Sequence, residues 1–153
     1  TISIGYGDTP FDANLKAYEG RKNEIILNKE YSIFGFVNGK ESSDVSIMHL
    51  DVDDLSSKRE THSPYEISSL MFDLYSKMSG YFLEKNSLTF FMGGDNFMVV
   101  ASDDAKKSVQ NFINKIKDEE KIFLNCGIGN GRIAREAVKL ATKSLDTIRE
   151  IRD

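Results

Sequence analysis

The chain has 153 residues, 40% of them hydrophobic and 29% charged, the balance of a soluble globular chain with one substantial core. Its formal net charge of −4 argues against a nucleic-acid backbone as the main partner, though not against a nucleotide, because a metal ion can reverse the local charge. A single cysteine, Cys126, permits no internal disulfide and suits a reducing cytoplasm, and no apolar run reaches membrane-spanning length.

No signal peptide is visible, and "TISIGYG" opens the chain with no initiating methionine, as a fragment or a processed chain would. That stretch reads as a short strand ending in glycines, and "PFDANLKAYEG" after it as a helix closed by Gly20. Residues 21–44 are polar and mixed, a connector around the apolar piece "YSIFGFV". The unit 45–153 begins at "DVSIMHLDVDD", an apolar run ending in acids that predicts a buried strand. "SPYE" then has the form of a capping box, with Ser63 as N-cap, Pro64 at the first helical position and Glu66 at the third. Ile67, Leu70, Met71, Leu74, Met78 and Phe82 follow at helical spacing.

A hairpin comes next, "SLTFF-MGGDN-FMVVAS", whose Gly93 and Gly94 allow the backbone to reverse tightly. Ser102 with Asp103 and Asp104 opens a second helix, with Val109, Phe112, Ile113 and Ile116 on one face. "KIFLNCGIG" is a strand ending in glycines. "RIAREAVKLATKSLDTIREIRD" is a final helix expected to turn Ile133, Ala137, Leu140, Ala141, Ile148 and Ile151 inward. "ISIGYG" at 2–7 echoes "LNCGIG" at 124–129, and each is followed by alanines four apart, Ala13 and Ala17 against Ala137 and Ala141. A tandem duplication explains this, residues 1–20 being the last strand and helix of a first copy whose other strands are not in this chain.

From residue 45 the order β-α-β-β-α-β predicts an α+β fold, an antiparallel sheet with helices on one face in the ferredoxin-like or palm arrangement. That topology sets the end of the first strand beside the hairpin, so Asp51 and Asp95 become neighbours. Two carboxylates brought together need a cation between them. Hard oxygen ligands without a histidine or cysteine cluster point to Mg²⁺ or Mn²⁺ working with substrate phosphates. Asp53 shares strand parity with Asp51 and is a further candidate ligand, while Asp54 points elsewhere. "CGIGNG" is a poor dinucleotide motif, because no acid-ended strand follows it. Its helix start can still hold phosphate on backbone amides beside Gly129, with Arg132 and Arg135 close by. His49 reads as structural, Cys126 as a core residue, and His62 lies in a polar loop, "SSKRETH", beside the proposed site.

"MHLDVDDL", "FFMGGDNFMVV" and "LNCGIGNGRIAREAVKLATKSLDTIRE", in that order and spacing, resemble the carboxy-terminal half of archaeal-type GTP cyclohydrolase III. The similarity spans about residues 45–150, and the first twenty residues resemble the end of that family's amino-terminal half. The resemblance implies a duplicated nucleotidyl-cyclase-like palm that binds GTP with magnesium. Its reaction opens the guanine imidazole ring to a formylamino-pyrimidine ribonucleoside monophosphate and releases the outer phosphates as inorganic phosphate. Asp51 and Asp95 then match the family's metal carboxylates and carry the catalysis, with Gly93, Gly94 and Asn96 beside the nucleotide. Most of the amino-terminal half is absent, so the resemblance implies a missing half or second subunit as partner, in a cytoplasmic homo-oligomer. A non-catalytic guanine-nucleotide-binding or regulatory palm module is the alternative, since diguanylate cyclases and CRISPR effector palms carry related turns.

Overall fold

The computed structural model describes residues 1–36 and 44–152. They form two compact units, Thr1–Ser43 and Asp44–Asp153. Among the described residues no helix is long and apolar enough to cross a membrane.

The first unit contains β1 (Ile2–Ile4), α1 (Pro10–Lys22), β2 (Ile26–Asn28) and β3 (Ile33–Gly35). Its sheet runs β1-β3-β2, with β1 parallel and β2 antiparallel to β3. Thr9 caps α1 by accepting the Asp12 amide at 3.1 Å, and Pro10 occupies the first turn. The helix runs past Gly20, where the sequence suggested its end. Gly20 is instead an interior contact, because a Cβ there would lie 2.4 Å from the Gly35 Cα. The stretch 21–44, read as a connector, therefore holds the last turn of α1 and two strands, and its residues 37–43 lie outside the described residues. Strands of three residues are too short to leave a readable alternation.

The second unit contains β4 (Val45–Val52), α2 (Leu55–Thr61), α3 (Pro64–Leu83), β5 (Leu88–Gly93), β6 (Asn96–Val100), α4 (Asp103–Glu120), β7 (Leu124–Gly131) and α5 (Ala134–Arg152). The sheet order is β5-β6-β4-β7, antiparallel throughout. α3 begins at the capping box: the Ser63 amide donates to Glu66 Oε2 at 2.7 Å, and the Glu66 amide donates to Ser63 Oγ at 3.3 Å. The polar stretch "SSKRETH" is mostly α2 and not a loop. Asp54 stands at its N-cap with φ +51° and accepts the Ser57 hydroxyl at 2.7 Å.

Strand alternation gives the sheet two faces. Met48, Leu50 and Val52 of β4, Phe97 and Val99 of β6 and Leu124 of β7 turn one way, into the main core with α3 and α4. Ile47 turns the other way and packs with Ala137 and Ala141 of α5, which lies over β7 and β4. Helices thus cover both faces, two on the expected side and α5 on the other. The inward residues of α5 are Ala137, Ala141 and Leu145, whereas Ile133, Leu140 and Ile151 are exposed. Ala137 and Ala141 sit on the inner face because the strand beneath them is glycine. A Cβ on Gly129 would stand 2.1 Å from the Ala137 carbonyl oxygen and 2.4 Å from the Ala141 amide.

The same geometry recurs in the first unit. A Cβ on Gly5 would stand 2.0 Å from the Ala13 carbonyl oxygen and 2.3 Å from the Ala17 amide. Gly7 and Gly131 likewise meet the amides of Ala13 and Ala137, at 2.5 and 2.8 Å. Even the helix-start bonds correspond, Asp8 N–H to Asp12 Oδ2 at 3.2 Å and Arg132 N–H to Glu136 Oε2 at 3.0 Å. The alanines match as the sequence suggested, but the glycine register shifts by two residues. Gly5 corresponds to Gly129, not Gly127, because contact with the helix backbone sets the register.

Candidate functional site

Asp51 sits one residue before the end of β4, opposite Asn96 of β6 and Asn125 of β7. The hairpin that delivers Asp95 turns through Gly93 and Gly94, at φ +98° and +63°, conformations that L side chains rarely adopt. No atom lies within 4 Å of where either Cβ would be, so backbone angle alone selects glycine there. The Val52 amide donates to the Asp95 carbonyl at 3.2 Å and ties the hairpin tip to the end of β4. The Asp53 amide donates to the Phe123 carbonyl at 2.8 Å, fixing the chain as it leaves the sheet. Asp51, Asp53 and Asp95 consequently line one cavity of about 320 Å³, together with Arg59 and Arg149.

Asp51 is only 3% exposed. Its Oδ2 accepts from Arg149 Nε at 2.9 Å and also from Arg149 Nη2. Its Oδ1 is buried with no hydrogen-bond partner. This pairing raises the Arg149 pKa above its ordinary value, so the guanidinium is permanently a cation beside the carboxylate. An orphaned buried carboxylate oxygen is costly unless something positive approaches it. The hard oxygen donors and this unmatched atom fit a divalent cation. The three-carboxylate cluster expected from Asp51, Asp53 and Asp95 is not assembled: among the described residues no three acidic, histidine or cysteine side chains gather to hold a metal. Sharing the ion between one or two carboxylates and substrate phosphates is the usual arrangement for Mg²⁺. Asp54 is occupied in capping α2.

Next to it lies a second cavity of about 510 Å³, walled by Ile67, Met71, Phe72 and Phe91, with His62 and Gly94 also at its lining. Phe72 and Phe91 meet edge to face, their centroids 5.8 Å apart. Arg59 of α2 lines both cavities. A charged chamber beside an apolar one of this size is what a small ligand with an anionic tail and a flat ring requires.

Gly129, Arg132 and Arg135 are not part of this site. β7 runs antiparallel to β4, so Gly131 pairs with Val45 while Asn125 pairs with Asp51. At about 3.3 Å per residue, the start of α5 lies roughly 20 Å along the strand from Asp51. The Arg132 amide is also taken by Glu136. The α5 residue that reaches the site is Arg149, near the helix's other end, and sequence reading missed it together with Arg59. Its one signal was its place in the last turns of a helix returning across the sheet.

Behind the carboxylates runs a polar chain. His49 Nδ1 lies 3.1 Å from Thr142 Oγ1, His49 Nε2 lies 3.0 Å from Asn96 Oδ1, and Asn96 Nδ2 donates to Asp95 Oδ1 at 2.6 Å. Cys126, packed against the core as expected, has its thiol pKa pushed up to about 12, chiefly by burial and further by the Asp51 charge.

A four-stranded antiparallel sheet with an acid at the end of its central strand and a Gly-Gly-Asp hairpin beside it is the palm fold. Two solved structures share that fold. One is a microbial GGDEF domain described in its interaction with bis-(3,5)-cyclic di-GMP, with TM-score 0.53, 18% identity, and coverage of 68% of this chain and 69% of that one. The other is an EAL/GGDEF domain protein from M. capsulatus, with TM-score 0.50, 17% identity, and coverage of 72% and 79%. The chain belongs to the GTP cyclohydrolase III family, whose model matches residues 1–153. GTP cyclohydrolase III of Saccharolobus islandicus is 31% identical over 150 residues, covering 98% of this chain and 59% of that protein. That of Methanothermobacter thermautotrophicus is 30% identical over 158 residues, covering 97% and 62%. The chain thus spans about three fifths of the length of these curated relatives.

Proposed function

We propose that this chain carries the metal and triphosphate site of a GTP cyclohydrolase that opens the imidazole ring of guanine. The product is 2-amino-5-formylamino-6-ribosylamino-pyrimidinone monophosphate, and the two outer phosphates leave as inorganic phosphate. One water adds where the ring opens, the former ring carbon staying behind as the formyl group, and one more is consumed for each phosphate released. The observation that carries this reading is the buried, partnerless oxygen of Asp51 in a cavity shared with Asp95.

Mg²⁺ or Mn²⁺ held there supplies charge neutralisation and an activated water. Asp51 and Asp95 are its protein ligands, with Asp53 within the same wall. Arg59 is a cation available to phosphate oxygens as a bidentate guanidinium, and Arg149, whose Nε and Nη2 are engaged with Asp51, adds its positive charge beside them. Ile67, Met71, Phe72 and Phe91 offer the ring a dry surface, and Gly93, Gly94 and Asn96 form the turn between the two compartments. GTP is the partner in this reading. The remainder of the site comes from the portion that the relatives have beyond this chain's span, or from a second copy. A cytoplasmic setting fits the nucleotide substrate.

Product analysis tests it. The full-length protein incubated with GTP and Mg²⁺ should yield the formylamino-pyrimidine and two phosphates per GTP. Tight GTP binding with no ring opening would instead mark a non-catalytic nucleotide-binding module.

A further inference from the structure

We propose that His49 is a positioning residue that fixes the Asp95 carboxylate through Asn96; this rests on reading Asp51 and Asp95 as a metal–nucleotide site. Asp95 stands in a turn whose two glycines give the backbone wide freedom. Its carboxylate needs an external restraint to hold one orientation, and the Asn96 amide supplies it by donating to Oδ1 at 2.6 Å.

The direction of each bond follows from that contact. Turning the Asn96 amide over would set its oxygen against a carboxylate oxygen, two acceptors face to face, so Nδ2 must face Asp95. Asn96 Oδ1 therefore faces His49, and His49 Nε2 carries the proton it donates across 3.0 Å. Nδ1 is then turned to the Thr142 hydroxyl at 3.1 Å. His49 lies on the α5 side of β4, in register with Gly127, where a Cβ would stand 2.1 Å from the Ala141 carbonyl oxygen. That glycine lets α5 come close enough for Thr142 to reach the ring. The chain runs α5, β4, β6, hairpin tip. Its result is an Asp95 with Oδ1 engaged and Oδ2 available to a cation.

α5 thereby acts on both acids. Arg149 pairs with Asp51 directly, and Thr142, two turns earlier, acts on Asp95 through His49 and Asn96. A core histidine would serve equally well as a hydrophobic residue of similar shape, whereas a positioning histidine would not.

The test uses the full chain with Mn²⁺ alone, followed by electron paramagnetic resonance, and then GTP with Mg²⁺. His49→Phe should weaken Mn²⁺ binding about five- to tenfold, the loss of one well-placed hydrogen bond. His49→Gln, whose amide can still donate to Asn96, should recover most of it, and the two variants should melt at similar temperatures. Asp95→Ala is the control. If Asp95→Ala leaves Mn²⁺ and GTP binding unchanged, the site reading fails whatever His49 does. If Asp95→Ala loses binding while His49→Phe keeps it, the positioning proposal alone fails. Nitrogen-15 spectra of the unaltered chain give a second readout that needs no variant. They should show His49 protonated on Nε2 and Asn96 side-chain amide protons shielded from exchange. The other tautomer, or freely exchanging amide protons, would overturn the proposal even if the His49→Phe chain fails to fold.

Discussion

Asp51 gives one carboxylate oxygen to Arg149 and keeps the other buried without a donor. Arg149 therefore already supplies part of the positive charge that the proposed metal ion would bring to Asp51. Arg149→Ala should raise the affinity for Mn²⁺ alone, since the ion no longer competes with a guanidinium for Asp51, and should weaken binding of GTP with Mg²⁺. Both effects are readable by calorimetry, and a parallel loss of the two would make Arg149 purely a structural partner of Asp51. Asp95→Ala should abolish the rise in melting temperature caused by GTP with Mg²⁺ while leaving the ligand-free melting point near its original value. A turn carboxylate contributes little to the core, and the Val52 bond to residue 95 uses the backbone. Cys126, with its thiol pKa raised to about 12, should resist thiol reagents at pH 8 until the chain unfolds. The acids were legible in the sequence because strand order alone sets the end of β4 beside the hairpin. Arg149 was not, being 98 residues from its partner on a helix face that no apolar pattern marks.

Among the elements, α3 shows where local signals suffice. Its capping box, its proline and its spacing of apolar residues all sit within one continuous stretch, and the helix forms where they say. Glu66 has its pKa lowered, first by the Ser63 backbone N–H and then by the Ser63 hydroxyl. A lowered folded-state value contributes stability that is present above the unfolded pKa and lost as pH falls through the folded one. The helix start should accordingly weaken on acidification below about pH 4.5, and Glu66→Gln should remove that pH dependence in circular-dichroism melts. α5 shows the opposite case. Of the inner face its apolar spacing suggested, Ala137 and Ala141 turn inward and Ile133, Leu140 and Ile151 do not, because the glycines of β7 set which residues of α5 meet the strand, and that information lies in another element. α2 left no signal at all, since its seven residues hold a single buried apolar side chain, Leu55. Gly129→Ala should drive α5 off the sheet and cost about 2–3 kcal/mol in denaturant unfolding, well above the roughly 1 kcal/mol of positive-φ strain expected from Gly94→Ala.

At the scale of the molecule, the two units are unequal. The second has a full antiparallel sheet with helices on both faces. The first is a three-stranded sheet with one helix, and it leaves Ile2, Ile4, Ile26 and Leu27 exposed. Exposed apolar strand residues of this kind call for a cover. We expect light scattering to show concentration-dependent association of the chain, reduced by Ile2→Lys with Ile4→Lys, and turnover far below that of a protein of the relatives' full length. A monomer with full turnover whose residues 1–36 exchange amide protons freely would refute this. The antiparallel palm order was legible because each of its strands and long helices is punctuated locally. The first unit's sheet was not, because a parallel pairing of three-residue strands is decided by packing.

Gly5 and Gly7, and again Gly129 and Gly131, stand at matching places against a helix, and each meets a main-chain atom of that helix within 3 Å of where its Cβ would be. Selection at such positions acts on how near two backbones may come and is indifferent to the chemistry around them. The residues between each glycine pair, Tyr6 and Asn130, differ. Two stretches of this chain thus share little identity and still match at a handful of points. A saturation screen for folding should record this correspondence as two narrow bands of intolerance, one in each unit, separated by the same number of residues at every matched position.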